Sequence, residues 1–99
     1  MILSIRTFTI QDGKQQEAIE ALVKLANYVK EHYGGDVHVE RNISGPQNKV
    51  HIISERESLA AWESALQQIM ADEKALEMIT ETQTMVVGGS DLTLVERIS

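Results

Sequence analysis

From Val50 to Arg56 the chain alternates as a strand, and just beyond Glu57-Ser58 its apolar residues recur three and four apart: Leu59, Trp62, Leu66, Ile69 and Met70. A strand therefore feeds directly into an amphipathic helix whose apolar residues share one face. Ser58 stands where its hydroxyl can accept from the free N–H groups of the first turn. The only tryptophan, Trp62, sits on the second turn. The rest of the chain is read around this unit.

Met1 to Ile10 is a strand with two alternating sets, Leu3, Ile5, Thr7 and Thr9 against Ile2, Ser4, Arg6, Phe8 and Ile10. Gln11-Asp12-Gly13 is a turn, with Asp12 placed to cap the helix that follows. From Lys14 to about Tyr33 the residues Ile19, Leu22, Val23, Ala26 and Val29 keep helical spacing, and Gly34-Gly35 ends the run. Asp36 to Ile43 and Lys49 to Arg56 read as a hairpin around Ser44 to Asn48. The helix from Leu59 runs to about Thr82, bent near Ala71-Asp72-Glu73, with Asp72 as the cap of a second piece. Met85 to Val87 and Asp91 to Ile98 form the last strand region, and Gly88-Gly89 between them marks a bulge.

The order is βαββαβ. Two interleaved βαβ-type halves give an α+β fold, ferredoxin-like, with an antiparallel sheet and two helices on one face. Residues 1–99 make one domain. Zero cysteines exclude disulfides, thiolate metal sites and cysteine catalysis, and are in keeping with a cytoplasmic protein. A net charge of −6 with scattered lysines argues against nucleic acid as a partner, and no apolar run is long enough to span a bilayer. The histidines His32, His38 and His51 lack the spacing of a local metal-ligand pair, so no metal is expected.

If Leu3 and Ile5 face the helices, Ile2, Phe8 and Ile10 point outward, and an open apolar face asks for cover. A homodimer is the expected partner. Taking the hairpin turn as Ser44 to Asn48 sets Ile43 opposite Lys49 and His38 opposite Ser54. His38 and Glu40 then share a face with Ser54 and Arg56, and Arg6 joins them. Such a group suits an anionic or carbonyl-bearing ligand: arginine offers planar donors, and a histidine beside a carboxylate trades a proton near neutral pH. His38 is the catalytic candidate; Arg6, Glu40, Ser54 and Arg56 are the binding candidates. The plainer reading is an ion-paired dimer interface or a solvated face. Trp62 can stack on a flat substrate, but at this spacing it fits the core.

Two stretches carry a family resemblance: Ile5-Arg6-Thr7-Phe8-Thr9-Ile10 with Gly13-Lys14, and Glu57-Ser58-Leu59-Ala60-Ala61-Trp62 with Met70-Ala71-Asp72. Here the chain resembles the dimeric α/β-barrel superfamily, within it the NIPSNAP-like and antibiotic-biosynthesis-monooxygenase-like domains. The resemblance implies two sheets packed face to face in a dimeric barrel, with a pocket in each subunit between sheet and helices. It also implies small-molecule chemistry without a cofactor, as a monooxygenase or isomerase. In haem-degrading relatives an asparagine on the first strand, a tryptophan ending the third and a histidine on the second helix define the site. This chain has Arg6 and Arg56 at the first two positions and no histidine on that helix, so haem is not expected. The alternative function is a non-enzymatic dimerisation or ligand-sensing module.

Overall fold

The computed structural model describes residues 1–99, in the order β1 (Ile2–Ile10), α1 (Gln15–Tyr33), β2 (Asp36–Arg41), β3 (Lys49–Arg56), α2 (Leu59–Met70), α3 (Glu73–Gln83) and β4 (Val86–Glu96). The four strands form one antiparallel sheet in the order β2-β3-β1-β4, and the helices pack on one of its faces. This is the α+β, ferredoxin-like arrangement expected from the element order. The thin dimension, 20 Å, is that of one sheet and one helical layer.

Local chemistry explains most of the boundaries. Ser58 accepts the N–H of Ala61 at 3.1 Å and opens α2. The long second helix is two helices, because Asp72 leaves helical geometry and its Oδ1 accepts the N–H groups of Lys74 and Ala75. At α1 the expectation differs from the structure. Lys14, not Asp12, occupies the N-cap position, and no side chain caps it. The helix instead starts on backbone bonds, Lys14 N–H to the Gln11 carbonyl and Ala18 N–H to that of Lys14.

The packed core lies at one end of the two layers. Phe8, Ile10 and Val50 rise from the sheet against Ala18 and Leu22 of α1 and against Met85 and Val86. Leu22 and Val50 are fully buried, and each such side chain contributes about 1.5–3 kcal/mol. Phe8 and Ile10 thus face the helices, the reverse of the orientation taken for β1 above. Leu3 and Ile5 stand on the open face, half-buried, with Ile53 across from Ile5 and Val95 across from Leu3. Either alternating set of β1 is apolar enough to be the inner one. The larger Phe8 and Ile10 sit opposite Val50 and Val86 and decide it.

The hairpin register also differs, by one residue. His38 pairs with Ile53, Val37 with Ser54, and Asn42 N–H bonds the carbonyl of Lys49. The strand ends at Arg41 and Ile43 belongs to the loop, 88% exposed. Asn42 holds this arrangement, its Nδ2 donating to the Pro46 carbonyl at 2.8 Å and its Oδ1 accepting from His51 Nε2 at 2.8 Å. Since side chains alternate, the slip puts Val37 and Val39 inward and His38 and Glu40 outward. In β4, Ile10 pairs with Val86 but Phe8 with Ser90, so two extra residues bulge out around Gly88-Gly89, where the glycines predicted a bulge. No helix is long and apolar enough to cross a membrane.

Candidate functional site

Away from the packed end, the same two layers stand apart around a cavity of about 670 Å³. Its floor is made by the inward set of the middle strands. Ser4 of β1 lies directly across from Ser54 of β3, with Arg6 and Ile52 on one side and Arg56 on the other. Where Phe8 and Val50 fill the gap at the packed end, two serines leave it open. Leu25, Ala26 and Val29 of α1 wall the cavity, as do Trp62, Ala65, Leu66 and Ile69 of α2 and Ile79 and Thr82 of α3. The bulge of β4 places Gly88, Gly89 and Ser90 beside Arg6.

The polar groups of the floor are few and specific. Ser4 Oγ and Ser54 Oγ are hydrogen-bonded to each other at 2.5 Å. Arg6 donates from Nη1 to Ser90 Oγ at 3.1 Å. Its guanidinium is half-buried and has no carboxylate within ion-pair distance; the ion pairs of the chain are Lys14–Glu17, His38–Glu40 and Arg97–Glu55. Burial pushes the Arg6 guanidinium below its ordinary value, and that of Arg56 likewise, though an arginine stays protonated. Arg56 is the better satisfied of the two, donating from Nη1 to the Tyr33 carbonyl at 2.7 Å. It lies flat over Gly35: a Cβ there would meet Arg56 Cζ at 2.8 Å, and Gly35 also has φ +81°. The positive φ favours glycine there, and its bare Cα lets the guanidinium settle close.

Of the six residues proposed from the sequence, Arg6, Ser54, Arg56 and Trp62 line the cavity. His38 and Glu40 do not. The register slip carries them to the open face, where His38 Nε2 and Glu40 Oε2 meet at 3.0 Å in an exposed pair. His38 thus has no access to the cavity as a proton-transfer group, and Glu40 is not the partner of Arg6. His51 is likewise on the open face, its two ring nitrogens bonded to Thr7 Oγ1 and Asn42 Oδ1. Trp62 is half-buried as a wall of the cavity, not sealed in the core. The sequence reading missed Ser4, Ser90 and the Gly88-Gly89 wall. Ser4 carried a usable signal, since it belongs to the same alternating set as Arg6.

The helical walls are held unequally. α3 is tied to α1 where Tyr28 and Tyr33 both donate to Asp72 Oδ2, at 2.7 and 2.5 Å. The hydrogen bond from Tyr33, then that from Tyr28, holds the Asp72 carboxyl down to about 2. The same bonds push Tyr28 up and Tyr33 up to about 12. His32 stacks on Tyr28 with ring centroids 4.0 Å apart at the exposed end of α1. α2 has no such tie and fully buries only Ala65, leaving Leu59 and Met70 about half exposed.

No family model matches this chain, and no curated protein matches it. Solved structures do. A NIPSNAP domain protein from Burkholderia xenovorans superposes with a TM-score of 0.85 at 14% identity, covering 100% of this chain and 96% of that one. A NIPSNAP family protein from Agrobacterium tumefaciens gives 0.77 at 23% identity, covering 100% and 91%. SnoaB, a cofactor-independent oxygenase from Streptomyces nogalater, gives 0.75 at 17% identity, covering 99% and 93%. The chain shares the ferredoxin-like fold of the NIPSNAP and antibiotic-biosynthesis monooxygenase proteins. At these identities the likeness concerns the fold.

Proposed function

We propose that this chain takes up a small, largely apolar organic molecule bearing an anionic or carbonyl oxygen, in the cavity between its sheet and its helices. The observation that carries this reading is Arg6. A half-buried guanidinium with one hydroxyl partner and no carboxylate is a cation in want of an anion, and it opens onto a mostly apolar space. The fold shared with SnoaB, a cofactor-independent oxygenase, supports oxygenation without a cofactor as the reaction. A non-enzymatic ligand sensor is the second reading, favoured because neither histidine nor carboxylate lines the cavity. The test is a thermal-shift screen of aromatic acids, phenols and neutral ketones, with oxygen uptake measured on every hit. Raised melting temperatures support the cavity reading, and a flat response across all three classes ends it. Oxygen consumption separates the oxygenase from the sensor.

The protein is proposed to work as a cytoplasmic homodimer joined through the open sheet face. Leu3, Ile5, Ile53 and Val95 are its apolar members. Light scattering should give about twice the 11.1 kDa of one chain, and the mass of a single chain at micromolar concentration would sink the dimer.

A further inference from the structure

This is an acidic chain that leaves two cations unpaired inside itself. It carries 15 acidic side chains against 9 basic ones, yet neither Arg6 nor Arg56 has a carboxylate within ion-pair distance. Of the other arginines, Arg97 is paired with Glu55 and Arg41 is exposed at the end of β2. Arg6 and Arg56 are half-buried and are the only ionisable groups that line the cavity. Each spends one N–H on the protein, Arg6 on Ser90 Oγ and Arg56 on the Tyr33 carbonyl, so most donors of both guanidinium groups are free. The two do not converge. Arg6 lies opposite Ile52, and Arg56 follows Ile52 by four residues on β3, which at the rise of a strand sets the two positions about 13 Å apart. Their heads turn to opposite edges of the sheet, Arg6 toward Ser90 on β4 and Arg56 toward Tyr33 and Gly35 just before β2. A single carboxylate cannot reach both. Between them lie the Ser4–Ser54 pair on the floor and apolar side chains of α1 and α2 above it.

We infer that the cavity takes an elongated dicarboxylate, with one acid group on Arg6, the other on Arg56 and an apolar body between them. A guanidinium–carboxylate contact occupies about 4 Å at each end, which leaves at least about 6 Å between the two carboxylate carbons, the reach of a chain of about six carbons or more. The inference rests on the proposed uptake of a small organic molecule and adds its far end: Arg6 holds the first anionic group, and Arg56 holds the second.

The test is calorimetric titration of the native protein, at neutral pH, with succinate, suberate and sebacate and with the monomethyl ester of each, which keeps the length and removes one charge. Suberate or sebacate should bind about tenfold or more tightly than its own monoester, the effect of losing one charged hydrogen-bonded contact. For succinate, too short to reach both arginines, that ratio should fall toward one. Arg56→Gln should bring the long diacid down to the affinity of its monoester, and a monoester still bound reports that the variant is folded. Should the variant fail to fold, the diacid-to-monoester ratios of the native protein decide alone. Long diacids bound no more tightly than their monoesters, a succinate ratio as large as theirs, or a preference that survives Arg56→Gln in a folded protein overturns the inference and leaves the cavity reading standing. So does silence from all six compounds when the screen of aromatic acids, phenols and ketones gives hits; silence from both sets overturns both.

Discussion

The two ends of the space between sheet and helices rest on the same strands and are filled differently. At one end Phe8, Ile10 and Val50 meet Leu22 and Ala18 with nothing between them. At the other the inward positions of those strands are Ser4, Arg6, Ser54 and Arg56, and the helices stand off. Four polar residues along two strands floor the chamber, where apolar residues of the same strands close the packed end. Stability should therefore be concentrated at one end and chemistry at the other.

The largest effect that can break this division is Leu22→Ala. A fully buried leucine cut back in a close-packed region should cost about 2–5 kcal/mol, read from denaturant unfolding. A cost below that range would mean the packed end is not where the fold is held. Trp62→Ala is the matching change at the other end. Its ring is half-buried at the wall of the cavity, so the loss should be about 1–2 kcal/mol, less than a sealed core tryptophan would show. Equal losses for Leu22 and Trp62 would erase the contrast.

Arg6→Leu sharpens it from the opposite side. Replacing an unpaired, half-buried charge with an apolar side chain should leave the melting temperature unchanged or raise it, and should abolish the response to organic acids. A clear fall in melting temperature would give Arg6 a structural role instead.

The smallest effect concerns the tie at Asp72, outside both ends. Its carboxyl is lowered from 3.8 to about 2, so the folded state holds fewer protons than the unfolded chain between those values. Its contribution is fully present above pH 3.8 and is lost as the pH falls toward 2. Tyr33 works in the other direction: raised from 10.0 to about 12, it contributes fully below pH 10.0 and loses that contribution as the pH rises toward 12. Melting profiles of native protein and Asp72→Asn should converge at the acid end, and parallel profiles would show that the tyrosine bonds do not couple to folding.

Element types and their order were legible because the information is local. The three- and four-residue spacing of Leu59, Trp62 and Leu66, Ser58 as a cap, and Gly88-Gly89 as a bulge each act within a few residues of sequence. What was not legible depends on distant contacts. Both alternating sets of β1 are apolar, and the choice between them is made by Val50 and Val86 across the sheet. The hairpin register is set by Asn42, whose side chain bonds Pro46 and His51, while Ile43 looks like a strand residue and sits in the loop. That single residue removed His38 and Glu40 from the candidate site. Arg6, Ser54, Arg56 and Trp62 stayed together because their faces do not depend on the loop.

The break at Asp72 has a consequence for how such a chain can change over time. The helix it cuts off, α2, supplies much of the chamber's apolar wall yet fully buries only Ala65. α3 beyond the break is fastened to α1 by its own tyrosine bonds. Positions 62, 66 and 69 can therefore drift in size and shape with little penalty elsewhere, while Arg6 on the rigid sheet stays in place. Under the uptake proposed above, descendants of one scaffold would then differ in the bodies of the molecules they accept and agree on the group by which they hold them.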